Sequence, residues 1–89
     1  MKPEQGEAAL AILQTRDDIR TDVVLEGGRK IAVWNIAWGR DIGEDFHHVT
    51  TNTSPDAPHE HAIDVFLTNE IVAILDPQSG DVLFRRDAA

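Results

Sequence analysis

The run Arg29 to Trp38 is the stretch that most limits how this chain can fold. Its Ile, Val and Trp content marks a β-strand rather than a loop. Alternation places Ala32, Trp34, Ile36 and Trp38 on one side of that strand and Ile31, Val33, Asn35 and Ala37 on the other. Neither side is polar. Ile71 to Leu75 repeats the problem, with Ile71, Ala73 and Leu75 set against Val72 and Ile74. A sheet with one solvated face alternates cleanly between apolar and polar, so both strands read as covered on two sides.

The rest of the chain supplies the neighbours of these strands. Pro3 to Asp18 combines helix formers with a proline near its start and acids in its first turn, which predicts a helix with a narrow stripe of Ala9, Leu10, Ile12 and Leu13. Thr21 to Leu25 is a strand, and Glu26-Gly27-Gly28 turns it back into Arg29 to Trp38. Gly39 to Asp45 is a charged connection leading to a strand over Phe46 to Thr53, and the two prolines of Ser54 to His61 mark a surface loop. Ala62 to Leu67 and Ile71 to Leu75 flank Thr68-Asn69-Glu70, read as a turn in preference to a bulge or one long strand. Asp76 to Asp81 has the proline and glycine of a hairpin loop, closed by Val82 to Arg85. The expected fold is α+β in one domain over 1–89, with 1–3 and 86–89 frayed. An N-terminal helix packs on an antiparallel, meander-like sheet of five or six strands.

One narrow helix covers one face of such a sheet. A chain of 89 residues has little left to cover the other. Either the sheet curls into a half-barrel around its own inner face, or a partner chain, most simply a second copy, supplies the cover. Trp34 and Trp38 are the candidate interaction residues, since tryptophan is enriched at interfaces, and the competing reading, the commoner one in a small protein, puts both in the core.

Composition narrows the partners. Sixteen acidic residues against eight basic ones give a net charge of −8, which opposes binding to a phosphate backbone. Nucleic acid is therefore not an expected partner. The apolar runs are too short to span a bilayer and the amino terminus has no signal-peptide core, so the expected location is the cytoplasm, away from membrane. Without cysteine there is neither a disulfide nor a thiolate metal site.

Chemistry is weakly represented. There is no Gly-x-Ser-x-Gly elbow and no serine beside a histidine base, so Ser54 and Ser79 read as turn residues, and no cofactor motif occurs. The histidines His47, His48, His59 and His61 suggest a metal, because His59 and His61 share a side in extended chain and Asp64 offers a third ligand. Pairing Phe46 to Thr53 with Ala62 to Leu67 sets His48 near Leu67, about 15–20 Å from the His59 pair, so all four cannot share one ion. These readings predict a non-enzymatic, acidic protein-interaction module that forms a homodimer or binds another protein. The alternative is a metal- or small-ligand-binding domain built on His59, His61 and Asp64.

Overall fold

Pro3 stands at the first helical position, where its missing N–H costs nothing, and opens helix α1 (Pro3–Gln14). The Lys2 N–H donates to Gln5 Oε1 at 3.0 Å, and Glu4 lies at the positive end of the helix dipole. In this computed structural model, which describes residues 1–52 and 63–86, α1 buries Gly6, Ala9, Leu10 and Leu13 along one stripe. The helix ends four residues before Asp18. Thr15 Oγ1 bonds the Ile12 carbonyl, and Asp18 takes the left-handed conformation at φ 66° that reverses the chain.

The described residues form seven strands: β1 (Thr21–Leu25), β2 (Lys30–Val33), β3 (Asn35–Gly39), β4 (His48–Asn52), β5 (Ile63–Leu67), β6 (Ile71–Leu75) and β7 (Val82–Arg85). All pairings are antiparallel. They make a four-stranded sheet in the order β2-β1-β6-β7 and a three-stranded sheet in the order β3-β4-β5. The fold is thus α+β with antiparallel sheets, but the single meander of five or six strands is replaced by two sheets. The expected strand Arg29 to Trp38 is broken at Trp34, and its halves pair with different neighbours.

That break explains why the run is apolar on both sides. In β2 the buried residues are Ile31 and Val33, whereas beyond Trp34 it is Ile36 that packs against the core while Asn35 and Ala37 turn away. The odd positions serve the core in one sheet and the even positions in the other. In β6 the device is a bulge. Val24 pairs with Ala73 but Leu25 pairs with Ile71, so Val72 is the extra residue, and Ile71 and Ile74 both reach the core. The Val72 carbonyl accepts the Arg86 N–H at 2.8 Å, which satisfies the interrupted ladder. Two covered faces are therefore not required of either strand.

One core joins the layers. Leu10 and Leu13 of α1, Val23 and Ile74 of the four-stranded sheet, and Val49 and Phe66 of the three-stranded sheet belong to one buried cluster. Each such side chain contributes about 1.5–3 kcal/mol on burial. α1 lies against the 3₁₀ turn Thr68–Glu70 that links β5 to β6. The Thr68 N–H donates to the His47 carbonyl at 3.0 Å, extending the pairing of β4 with β5 by one step. His48 faces Leu67, as the spacing predicts.

Candidate functional site

Trp34 occupies the corner between the sheets. Its N–H donates to the Asn52 carbonyl at 2.9 Å, and its own carbonyl accepts the Asp18 N–H at 3.2 Å. The same Asp18 N–H reaches Asn35 Oδ1 at 2.9 Å, so the segment after α1 is tied to the corner. The half-buried Trp34 joins Asp18, Ile19, Arg20, Pro77 and Gln78 around a pocket of about 400 Å³. Trp38 is not among the lining residues. It lies opposite Val49 on β3 and is 50% exposed. The two tryptophans that one continuous strand would have aligned are separated by the break at Trp34.

The outer face of the three-stranded sheet follows from the register. Trp38, Val49 and Phe66 lie in one row, as do Ile36, Thr51 and Asp64, and the burial of Val49, Thr51 and Phe66 marks these rows as core-facing. The alternate rows, Ala37 with Thr50 and Val65, and Gly39 with His48 and Leu67, point outward with Asn35 and Asn52. No Asp, Glu, Lys or Arg occurs among these outward residues. Val65 is 58% exposed and Leu67 36%. By contrast the outer face of the other sheet carries Asp22, Lys30 and Arg85 beside Val24 and Ala73, with Lys30 Nζ 3.8 Å from Asp22 Oδ2.

At its far side β5 pairs with no strand among the described residues. Since the Thr68 N–H faces β4, alternation sends the amides of Val65 and Leu67 outward. Both are occupied by carboxylates: Val65 N–H donates to Asp64 Oδ1 at 2.9 Å, and Leu67 N–H to Glu70 Oε2 at 2.6 Å. The edge is capped by its own acids.

Of the expected metal ligands, His59 and His61 lie outside the described residues. Asp64 has both oxygens engaged, Oδ1 by the Val65 amide and Oδ2 by the Arg29 guanidinium. His47 Nδ1 stands 3.5 Å from Glu7 Oε1, while His48 Nε2 stands 3.6 Å from Asp41 Oδ2. Among the described residues no three His, Cys, Asp or Glu side chains are grouped to hold a metal. Nor is any described helix long and apolar enough to cross a membrane.

Two features here were missed by sequence reasoning. The pocket segment Asp18 to Arg20 falls at the end of the expected helix and in the unassigned step before the first strand, and its only local signal is Ile19, an apolar residue among charged ones. The uncharged outer face is visible only once β3, β4 and β5 are aligned. Comparison with known protein families, curated protein sequences and solved structures finds no match.

Proposed function

We propose that this chain is a non-enzymatic protein-interaction module that associates with a second copy of itself through the outer face of the β3-β4-β5 sheet. The carrying observation is that the described strand residues of that face include no Asp, Glu, Lys or Arg, with Val65 and Leu67 exposed on it, in a chain of net charge −8. Two copies of so acidic a protein repel each other. A face whose described strand residues carry no carboxylate, with Asp41 reaching only its His48 corner, is where they can meet with the fewest like charges together, and its exposed Val and Leu gain from burial. The two passages between the sheets, at Trp34 and at Thr68–Glu70, support reading the sheets as walls of a half-barrel that presents this face outward. Nothing among the described residues favours the metal reading over this one.

The face is small. Three strands of five residues measure about 14 by 17 Å, well below the roughly 800 Å² per partner of a standard interface, so the dimer is weak, with Kd on the order of 10⁻⁴ M. Sedimentation velocity from about 10⁻⁵ to 10⁻³ M spans that value. The expected result is a monomer–dimer equilibrium that strengthens with added salt, as screening relieves repulsion, and that Val65→Lys abolishes. A strict monomer at every concentration and salt overturns the reading. Association that Val65→Lys leaves intact assigns it to another surface.

A further inference from the structure

The pocket at Trp34 is a second surface, built from different residues. Its walls come from the segment after α1, from the corner between the sheets and from the β6–β7 turn. Arg16 fixes their spacing. Its Nε donates to Thr21 Oγ1 at 2.6 Å, its Nη2 donates to the Arg20 carbonyl at 3.2 Å, and Nη2 also lies 3.5 Å from Asp76 Oδ2, at the start of the opposite wall. The volume falls within the roughly 300–1,000 Å³ of small-molecule sites, and the lining mixes the apolar Trp34, Ile19 and Pro77 with a few polar groups, as such sites do.

The charges at the rim define the ligand. Arg16, Arg29, Lys30, Arg40 and Arg86 all stand in ion pairs, so in this acid-rich chain most cations are claimed. The guanidinium of Arg20 has no such partner among the described residues, and neither has the carboxylate of Asp18, and both residues line the pocket. A ligand seated against the charged ends of both residues draws them out of water, and each must then be paired or its desolvation is uncompensated. An anion satisfies Arg20 and opposes Asp18, and a cation does the reverse. Only a dipolar molecule answers both, while an aromatic ring stacks on the indole of Trp34 and against Pro77.

We propose that this pocket binds a small dipolar aromatic compound of the size of one free aromatic amino acid. Its carboxylate pairs with Arg20, its ammonium with Asp18, and its ring lies on Trp34. The site does not depend on self-association and is testable in the monomer.

Calorimetry with the full chain and four probes decides it: L-phenylalanine, phenethylamine, 3-phenylpropionate and N-acetyl-phenylalaninamide. L-Phenylalanine is expected to bind about tenfold or more tightly than any of the other three. Arg20→Gln should bring L-phenylalanine down to the level of phenethylamine without altering phenethylamine itself. Asp18→Asn should bring it down to the level of 3-phenylpropionate, and asparagine tolerates the left-handed backbone there. The Trp34 indole N–H resonance, identified by its loss in Trp34→Phe, should shift on titration and the Trp38 resonance should not. No saturable binding of any probe up to about 10 mM overturns the proposal. So does equal affinity for the dipolar and neutral probes, which would leave only an apolar cleft.

Discussion

Arg16 and Asp76, far apart in sequence, face each other with Nη2 3.5 Å from Oδ2, and this contact joins the exit of α1 to the β6–β7 turn. Asp76 also organises the turn itself. Its Oδ1 accepts the Gln78 N–H at 2.8 Å and, more weakly, the Ser79 N–H at 3.4 Å, while its backbone pairs with Asp81 and Gly80. One carboxylate thus holds the hairpin loop closed and positions a wall of the pocket.

The first prediction concerns acid. The Gln78 amide, more than any other group, holds the Asp76 carboxyl below its ordinary value of 3.8; the Ser79 amide and Arg16 act in the same direction and desolvation against it. A carboxyl depressed by folding contributes stability above its unfolded value, and that contribution is lost as pH falls through the lower folded value. Urea unfolding of wild type and Asp76→Asn across a pH series should therefore show a constant advantage of wild type above about pH 5, shrinking progressively at more acid pH. An advantage that stays constant into strong acid would contradict this origin.

A second prediction follows from the approach of α1 to the Thr68–Glu70 turn. A Cβ on Gly6 would lie 3.0 Å from Thr68 Oγ1 and 3.0 Å from Phe46 Cδ1. Alanine gains about 1 kcal/mol over glycine inside a helix, but Thr68 is fully buried and cannot move aside, and overpacking costs about 1–3 kcal/mol. Gly6→Ala should lower stability by about 1 kcal/mol on balance. Adding Phe46→Leu, which vacates one of the two contacts, should reduce that loss. A stabilised Gly6→Ala would mean that the helix shifts freely over the turn.

Thr68 yields a third prediction, of opposite sign. Its hydroxyl is buried and has no hydrogen-bond partner among the described residues. Leaving such a group unpaired costs about 1–3 kcal/mol, and an apolar group of the same shape avoids that cost. Thr68→Val should leave stability unchanged or raise it by about 1 kcal/mol in chemical denaturation. Marked destabilisation would show that the hydroxyl has an acceptor.

How far the sequence reveals this structure depends on whether a signal is local. The glycines of the first hairpin, Gly27 and Gly28, take φ of 86° and 84°, the conformation that makes glycine legible as a turn residue. The last hairpin follows from Pro77 and Gly80, and the facing of His48 with Leu67 follows from loop length alone. What was not legible was parity. A run apolar on both sides is written identically whether two faces are covered, as expected, or whether the strand changes sheets at Trp34 or carries a bulge at Val72, as found. The uncharged outer face and the Trp34 pocket were hidden for the same reason, because each assembles residues from three places in the chain.

The last prediction concerns the edge of β5 that pairs with no strand among the described residues. An unpaired strand with outward amides is a template for another strand, and Asp64 and Glu70 block it by occupying the amides of Val65 and Leu67. This protection is compatible with association through the sheet face, which leaves the edge alone. Glu70→Ala removes one cap, and Asp64→Ala removes the other together with the ion pair to Arg29. Each also removes one negative charge, as does Glu44→Ala in an exposed connection, which serves as the charge-matched control. Arg29→Gln separates loss of the ion pair from loss of the cap. Thioflavin-detected aggregation on mild heating should accelerate several-fold in Glu70→Ala and Asp64→Ala, most in the double variant, with the two controls staying near wild type. Equal acceleration in Glu44→Ala would trace the effect to net charge, and the carboxylates would then have no special role at the edge.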